Sequence, residues 1–191
     1  MARKWFLTYF FGLFFFTIFF IIFHPNKIFA AYDTADTNTY ATNGEVWEVV
    51  SDDTYTYIGG DFTSIGPQGT ADGWVTRNYV ARIINSTGAV DTTWNPNAND
   101  RVQVIAISGS DIYVGGRFSS IGGQSRNYIA KLNDTTGAAD DTWNPNAEFF
   151  VWAITVSGSD IYAGGGFSSI GGQSRRNLAK LNDTTGAADT T

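Results

Sequence analysis

The side chains in this sequence that could do chemistry are almost all carboxylates. The 191 residues contain 18 Asp and Glu, no Cys, and a single His, His24, which lies in an apolar N-terminal segment. A Ser-His-Asp triad and a histidine-ligated metal centre both need histidine, and thiolate nucleophiles and zinc clusters need cysteine. We therefore expect no catalytic residue, no metal site and no cofactor. The exception would be a pair of carboxylates able to hydrolyse a glycoside.

Most of these carboxylates recur at an interval of 49 residues, at turns or strand ends. The recurring pairs are Asp111 with Asp160, Asp134 with Asp183, and Asp140 with Asp189. A carboxylate present in every copy fits a turn cap that accepts backbone N–H bonds better than half of a unique active site. The oxygen-rich segment 133–137 lacks the ligand spacing of an EF-hand loop, so we expect a turn there and not a calcium site.

Two other sets of charged residues are candidates for ligand binding. Glu48 lies on a predicted inner strand, where the other copies have Val104 and Ala153, and an enzymatic alternative would depend on it. One arginine per copy recurs at the start of the predicted third strand: Arg77, Arg126 and Arg175. These arginines either bind an anionic ligand as a ring or pair with the nearby Asp of the blade, and we favour the pairing.

An insertion of seven residues within Pro67–Thr76 interrupts the first copy and carries Trp74, which has no counterpart elsewhere. Insertions in repeat proteins map to loops, often on the binding face. We expect this loop on the same face as the Asn-Pro-Asn connections between copies. Two interpretations stay open: Trp74 is a stacking platform for a sugar or a peptide, or it folds back over a blade edge.

The repeat itself predicts the elements that hold these residues. Residues 112–123 (IYVGGRFSSIGG) return as residues 161–172 (IYAGGGFSSIGG), and a weaker copy is residues 57–66 (YIGGDFTSIG). A fixed period in the range of about 20–50 residues indicates a fold built by stacking one supersecondary unit.

Within one copy the pattern predicts four strands joined by tight turns. Val102 to Ile107 is a continuous apolar run, Gly109-Ser110 signals a two-residue hairpin, and Asp111 to Gly115 is the return strand. In that strand Ile112 and Val114 should share one face, with Tyr113 on the other. Phe118 and Ile121 should plug the core. The remaining predicted elements are a third strand over 127–132, a turn over 134–137 and a short fourth strand leading to Trp143.

Four antiparallel strands at this spacing are typical of a β-propeller blade, although a β-solenoid remains an alternative. We expect an all-β fold of about three blades in an incomplete ring, over residues 45–99, 100–148 and 149–191. Residues 31–44 form an N-terminal segment that is a candidate ring-closing strand. Because a propeller needs at least about four blades, we also expect the sequence to be a fragment of a longer protein.

The first 30 residues have the pattern of a targeting segment. Arg3 and Lys4 precede an apolar run from Trp5 to Phe23, and a small-residue site follows, with cleavage expected between Ala30 and Ala31. The run is long enough that an uncleaved membrane anchor is the alternative. Three of the 12 Lys and Arg residues lie in this segment, whereas all 18 Asp and Glu follow it, so the remainder carries a net charge of −9. That charge argues against nucleic acid and anionic membranes as partners.

The repeat resembles the bacterial delta-60 repeat β-propeller family. The resemblance rests on three segments: Gly115-Gly116-Arg117-Phe118, residues 126–133 (RNYIAKLN) and residues 140–145 (DDTWNP). It implies a secreted or cell-surface β-propeller and carries over no catalytic residue. We therefore expect an exported, non-enzymatic module that binds a glycan or a protein, or that is structural. The alternative is an extracellular polysaccharide hydrolase or lyase with a carboxylate pair in the propeller channel.

Overall fold

The computed structural model describes residues 40–190. The regular elements in that range are all β-strands. Residues 1–39 lie outside the described residues. They include the predicted targeting segment and its expected cleavage site between Ala30 and Ala31. Within residues 40–190 no helix is long and apolar enough to cross a membrane.

The first copy contains a three-stranded antiparallel sheet and a smaller sheet beside it. Its strands are β1 (Tyr40–Thr42), β2 (Val46–Ser51), β3 (Tyr55–Gly60), β4 (Ser64–Pro67), β5 (Val75–Thr76) and β6 (Val80–Ile84). The order β2-β3-β6 forms the blade, and the order β1-β4-β5 forms the small sheet. The inserted loop connects β4 to β5.

The second and third copies repeat this plan without the insertion. The second has β7 (Val102–Ser108), β8 (Asp111–Gly116), β9 (Ser120–Ile121), β10 (Gln124–Ser125) and β11 (Ile129–Asn133). The third has β12 (Val151–Ser157), β13 (Asp160–Gly165), β14 (Ser169–Ile170), β15 (Gln173–Ser174) and β16 (Leu178–Asn182). The blades are β7-β8-β11 and β12-β13-β16, and β9-β10 and β14-β15 are small hairpins. The first strand β7 lies against both β2 and β12, as the inner strands of neighbouring propeller blades do.

The predicted fourth strand is reduced to one antiparallel bridge in each blade. The bridges are Ile83 with Val90, Leu132 with Ala139, and Leu181 with Ala188. Just after the bridge, the carboxylate of Asp140 accepts the backbone N–H groups of Thr142 and Trp143 at 2.8 and 2.9 Å. These bonds turn the backbone out of the ladder, because an Asp side chain competes with the neighbouring strand for the same donors.

The linkers between blades follow the Asn-Pro-Asn motif. Asn99 at the end of the first linker accepts the N–H groups of Ser119 and Ser120 at 2.9 and 3.0 Å. Asn43 accepts the equivalent bonds from Thr63 and Ser64 at 2.8 and 3.0 Å. Residues 40–44, the described part of the predicted N-terminal segment, thus occupy the position of a linker, and β1 pairs with β4 of the small sheet. A ring-closing strand over residues 31–39 stays a prediction.

The start of the third strand differs from the predicted one. Strict alternation along the predicted strand 127–132 would put Tyr128 on the face of Ala130 and Leu132, but the strand begins at Ile129 and Tyr128 has a φ of 65°. This left-handed conformation turns the side chain to the other face, where Tyr128 packs with the cluster that contains Ile129. Equivalent left-handed residues are Tyr79 and Asn177.

The core lies between blades. Each blade has a front face, which meets the preceding blade, and a back face, which meets the following one. Ile112 and Val114 lie on the front of blade two and pack with Tyr57 of blade one, whereas Tyr113 lies on its back and packs with blade three. This confirms the predicted alternation. Phe118 and Ile121 are fully buried as expected.

A tryptophan after the fourth-strand bridge joins each blade to the next. The indole N–H of Trp94 donates to the carbonyl of Asn133 at 3.2 Å, and that of Trp143 donates to the carbonyl of Asn182 at 2.9 Å. Each ring also meets a tyrosine of its own blade edge-on, with centroids 5.3 Å apart in both cases. The tryptophan thus fills the space between two blades and satisfies its polar atom across the interface.

The hairpin glycines have two distinct functions. Gly122 and Gly123 both have positive φ, at 61° and 78°. A Cβ on Gly122 would lie 2.3 Å from the backbone nitrogen of Ala139, whereas a Cβ on Gly123 would meet nothing within 4 Å. Gly122 is therefore needed for close backbone approach, and Gly123 only for its backbone angle.

We predict that Gly122→Ala destabilises the protein by several kcal/mol more than Gly123→Ala. The second change costs only the left-handed conformation, about 1–2 kcal/mol, and the first adds a backbone clash. Urea unfolding measures the difference, and equal losses for the two variants would contradict this assignment.

We also predict that Trp143→Ala lowers the free energy of unfolding by about 3–5 kcal/mol, because it opens a cavity between two blades. Trp152→Ala is the matched control, since half of that side chain is exposed. It should cost less than about 1 kcal/mol in the same urea titration. Similar losses for the two variants would show that the interface does not depend on Trp143.

Candidate functional site

The linkers, the small hairpins and the first residues of the inner strands all lie on one face of the blades, which we call the linker face. It is formed where β2, β7 and β12 begin, since each of these strands directly follows a linker. The inserted loop between β4 and β5 lies on the same face, because β4 pairs with β1. The sequence predicted this placement.

A β-bulge at the start of each inner strand places one extra residue on the linker face. The register shifts between Val46 and Glu48, between Val102 and Val104, and between Val151 and Ala153. The extra residues are Trp47, Gln103 and Trp152. Bulges re-aim side chains and occur next to functional sites. Trp47 and Trp152 are both exposed, which is unusual for the largest apolar side chain.

Trp152 belongs to an aromatic cluster at the boundary of blades two and three, which we call the aromatic shelf. Its members are Tyr128, Phe149, Phe150 and Trp152. The rings of Phe149 and Phe150 lie 4.0 Å apart and 30° from parallel, and Tyr128 meets Phe150 edge-on at 5.3 Å. The guanidinium of Arg117 lies 4.3 Å from the centre of the Phe150 ring. The outer residues are open to solvent, with Trp152 51% and Phe149 45% exposed.

The shelf depends on a glycine in blade three. Gly166 takes the position of Asp61 in blade one and Arg117 in blade two. A Cβ on Gly166 would lie 2.9 Å from the Phe149 ring and 3.3 Å from the Trp152 ring. Both aromatic rings therefore lie over the bare backbone of Gly166, where the other blades carry charged side chains.

Sequence reasoning missed the shelf, although its signal was present. The three copies read NGEVW at residues 43–47, NDRVQ at 99–103 and EFFVW at 148–152. The pair Phe149-Phe150, just before an inner strand, replaces Gly44-Glu45 in the first copy and Asp100-Arg101 in the second.

At the boundary of blades one and two, Trp47 of blade one is held by charged groups. Its indole N–H donates to the carboxylate of Glu45 at 3.0 Å, and the guanidinium of Arg101 lies 5.6 Å from the ring centre. Arg101 in turn pairs with Asp61 at 2.8 Å, and this carboxylate raises the pKa of Arg101. Trp47 thus presents an aromatic surface beside both donors and acceptors.

The predicted loop residue Trp74 folds back onto its own blade. Its indole N–H donates to the carbonyl of Thr70 at 2.8 Å, and its ring lies directly over Gly66 in β4. The side chain is only partly exposed. Of the two open interpretations, this geometry corresponds to the cover of a blade edge.

The recurring arginines are used inside the blades. Arg77 and Arg126 are buried. Arg77 donates to the carbonyls of Thr76 and Asp91 at 2.7 and 2.9 Å, and Arg126 donates to those of Ser125 and Asp140. Arg175 makes the same two contacts, with Ser174 and Asp189. Each arginine meets the expected Asp through its main-chain carbonyl instead of its carboxylate, and ties the start of the third strand to the fourth-strand bridge.

Glu48 lies directly after the bulge of β2, opposite Gly59, and is partly exposed. Among the residues that the structure describes, no group of three or more His, Cys, Asp or Glu side chains could hold a metal ion.

One cation and one Asp from the recurring set form an ion pair within each blade. In blade one the pair is Arg82 with Asp91, and both side chains are buried. In blade two Lys131 lies 3.3 Å from Asp140 and 3.7 Å from Asp111. Burial opposes ionisation of Asp91, but hydrogen bonds from Thr93 and the Arg82 guanidinium outweigh it and hold the pKa at about 2, against an ordinary 3.8.

The pKa of Asp140 in blade two is lowered in the same way as that of Asp91. Burial again raises its pKa, but the N–H groups of Trp143 and Thr142 and the Lys131 ammonium lower it by more, so the pKa lies well below its usual range. The recurring Asp at this position is thus a turn cap, as the sequence predicted, and also the anion of an ion pair.

Comparison with known families identifies the repeats. Residues 111–142 and 160–191 match the profile of a family described as "Domain of unknown function (DUF5122) beta-propeller". These segments are β-propeller repeats. No curated protein matches the chain.

The two matched β-propeller repeats begin at the first residues of β8 and β13 and run through the Asp cap. They contain the ion pairs and the fourth-strand bridges. Phe149, Phe150 and Trp152 lie between the two matched segments, so most of the aromatic shelf belongs to the part of the chain that the repeat profile does not describe.

We predict that the β-propeller repeats lose stability as the pH falls from about 4 to about 2, and that Asp91 contributes to this loss. Its folded pKa is lower than its unfolded pKa, so its stabilising effect is complete above the unfolded value and disappears as the carboxylate becomes protonated. The shift corresponds to about 2 kcal/mol. Asp91→Asn should weaken the protein at pH 7 by about 3 kcal/mol, because Arg82 loses its buried partner.

Urea unfolding at a series of pH values measures both effects. Exposed Asp72 provides the matched control, and Asp72→Asn should keep the wild-type profile. An Asp91→Asn variant whose stability falls as steeply as that of the wild type below pH 4 would contradict the assignment.

Proposed function

We propose that this protein is an exported, non-enzymatic β-propeller repeat protein that binds neutral glycans through the aromatic shelf on its linker face. The observation that carries the proposal is the exposed pair Trp152 and Phe149, held over Gly166 at a bulge. Apolar rings of this size are normally buried in such a fold, as Trp94 and Trp143 are.

The rigidity of the shelf suits ligand binding. Phe150 supports Phe149 from behind, and Tyr128 and Arg117 pack against Phe150. Tyr128 is held in a left-handed backbone conformation, which is uncommon for a residue with a large side chain. The same conformation recurs at Tyr79 and Asn177, so the frame of the repeat holds the Tyr128 ring in place. A ligand would therefore meet rings that are already in place and lose little free energy in ordering them.

The chemistry of the shelf favours a sugar over other ligands. A pyranose presents a flat C–H face to an aromatic ring and hydroxyl groups at its rim. The shelf offers exposed ring surface. The Arg117 guanidinium lies against the Phe150 ring, and Glu148 directly precedes Phe149 in the chain. The net charge of −9 after the N-terminal segment disfavours anionic polymers.

The proposed place of action follows from the N-terminal segment. Its basic residues, apolar run and small-residue site support export, with the mature protein secreted or held at the cell surface. We also assign the repeats to the delta-60 type, on the strength of residues 115–118, 126–133 and 140–145.

We predict that the full-length chain binds soluble neutral polysaccharides, such as β-glucan, xyloglucan, galactomannan or α-glucan, and that Trp152→Ala weakens the binding about 30-fold. An aromatic anchor at the centre of a site contributes about 2 kcal/mol, which corresponds to that factor. Affinity electrophoresis and calorimetry measure the effect. Trp74→Ala and Tyr162→Ala are the controls, since both remove aromatic rings outside the shelf, and both should bind as the wild type does.

Other outcomes of this experiment would change the assignment. Loss of binding with Trp74→Ala and not with Trp152→Ala would move the site to the inserted loop. Binding of a protein instead of any glycan, with the same dependence on Trp152, would keep the shelf and replace the ligand class. Release of reducing ends, abolished by Glu48→Gln, would establish the hydrolase alternative in place of a binding module.

A further inference from the structure

Two neighbouring blade boundaries on the linker face each carry an arginine against an aromatic ring. Between blades one and two, the Arg101 guanidinium lies 5.6 Å from the centre of the Trp47 ring. Between blades two and three, the Arg117 guanidinium lies 4.3 Å from the centre of the Phe150 ring. Each boundary lies between two described blades, so the structure shows the groups on both of its sides.

The two pairs are built from different residues at three equivalent positions of the repeat. The positions are the bulge residue, the residue after the second strand and the residue before the next inner strand. They hold Trp47, Asp61 and Arg101 at the first boundary, and Gln103, Arg117 and Phe150 at the second. The ring and the guanidinium therefore occupy different positions at the two boundaries, and yet the pairing recurs. The repeat of the sequence by itself does not account for it.

Both pairs are open to solvent. Trp47 and the side chain of Arg101 are each 38% exposed. Arg117 is exposed, as is Phe149 beside Phe150. Ring surface and guanidinium N–H groups are thus accessible to a ligand at both boundaries.

The first boundary has the chemistry of a site for a neutral sugar. The Trp47 ring offers a flat apolar surface, and Arg101 offers N–H donors. The Glu45 carboxylate accepts the indole N–H of Trp47 at 3.0 Å, and the Asp61 carboxylate pairs with Arg101 at 2.8 Å. A carboxylate has room for several hydrogen bonds, so both can also accept from hydroxyl groups. The same two carboxylates would repel an acidic sugar.

The two boundaries are one blade apart. The inner strand β7 lies against both β2 and β12. Stacked sheets pack about 10 Å apart, which is about the length of a disaccharide unit in an extended glycan. The bulge residue of β7 is Gln103, where the neighbouring inner strands have Trp47 and Trp152. No tryptophan of β7 therefore separates the two Arg–aromatic pairs.

We propose that the boundary of blades one and two is a second sugar subsite, and that one linear neutral glycan spans it and the aromatic shelf. The second subsite consists of Trp47, Arg101, Glu45 and Asp61. The inference rests on the proposed function, because it names the form of the glycan that the shelf binds. Such a pair of subsites recognises a run of about four or more sugar residues within a polymer, since binding both subsites at once raises the affinity above that of either one.

Oligosaccharides of two lengths test the second subsite. The probes are the disaccharide and the hexasaccharide of the cello, laminari, manno and malto series. They are titrated into the full-length chain by calorimetry, or by NMR where binding is weak. We expect the hexasaccharide of at least one series to bind at least tenfold more tightly than its disaccharide, because only the longer chain reaches both subsites. Trp152→Ala should weaken the binding of both lengths.

Variants of the second subsite separate its contribution from that of the shelf. Trp47→Ala should remove the gain with length and leave the affinity for the disaccharide unchanged. Arg101→Met should weaken the binding of the hexasaccharide alone by about fivefold, because it removes hydrogen-bond donors. Val49→Ala is the matched control, since it shortens an exposed apolar side chain farther along the same strand, β2. It should keep both affinities, and the urea midpoints of all three variants should stay close to that of the wild type.

Three results would overturn the proposal. The first is a gain with length that persists in Trp47→Ala, because the longer chain would then reach another part of the protein. The second is equal binding of both lengths by the wild type. The third is a Trp47→Ala variant that loses as much affinity for the disaccharide as for the hexasaccharide.

The proposed function fails differently from this inference. If a glycan binds and depends on Trp152 but not on Trp47, the shelf keeps its function and only the second subsite is refuted. If the wild type binds none of the oligosaccharides and none of the four polysaccharides, both proposals are overturned.

Discussion

The packing of one blade's back face on the next blade's front face is the contact on which the rest of this structure depends. A three-stranded sheet with apolar residues on both faces is not stable alone, because each face needs cover. The tryptophan after the fourth-strand bridge fills the gap and bonds to the next blade's turn, and the cation of the third strand does the same. Stability is therefore shared between neighbours, as in other repeat proteins.

The linker face is where the blades differ most in chemistry. Positions 61, 117 and 166 follow the second strand in the three blades and hold Asp, Arg and Gly. The first two carry charges, and the third leaves room for Phe149 and Trp152 to lie over bare backbone. The repeat thus provides a constant frame, and a few substitutions at the ends of strands decide which side chains each blade boundary presents.

Local rules predicted much of the fold. The hairpin at Gly109-Ser110, with a φ of 59° at the glycine, and the burial of Phe118 and Ile121 follow from turn chemistry and alternation. Tyr128 escaped prediction because alternation assumes an extended backbone, and this residue is left-handed. The reduction of the fourth strand to a single bridge was not predicted, because the Asp140 carboxylate competes with the strand ladder for N–H donors. The structural roles of the recurring arginines and of Trp74 depend on the carbonyl groups to which they donate. The spacing of residues in the sequence does not specify those acceptors.

The sequence by itself determined the repeat, the all-β blades and the positions of turns, caps and core residues, since these depend on interactions within about ten residues. Only the tertiary structure decided which aromatic rings are exposed. The tryptophan side chains are chemically identical, yet their surroundings differ. Trp74 covers β4, Trp94 and Trp143 lie between blades, and Trp152 is open to solvent. The reason is that exposure depends on what lies across a blade boundary. Residues 39 and 52 positions apart in the chain meet there, as in the Trp94–Asn133 and Lys131–Asp183 bonds, and only the folded arrangement brings them together.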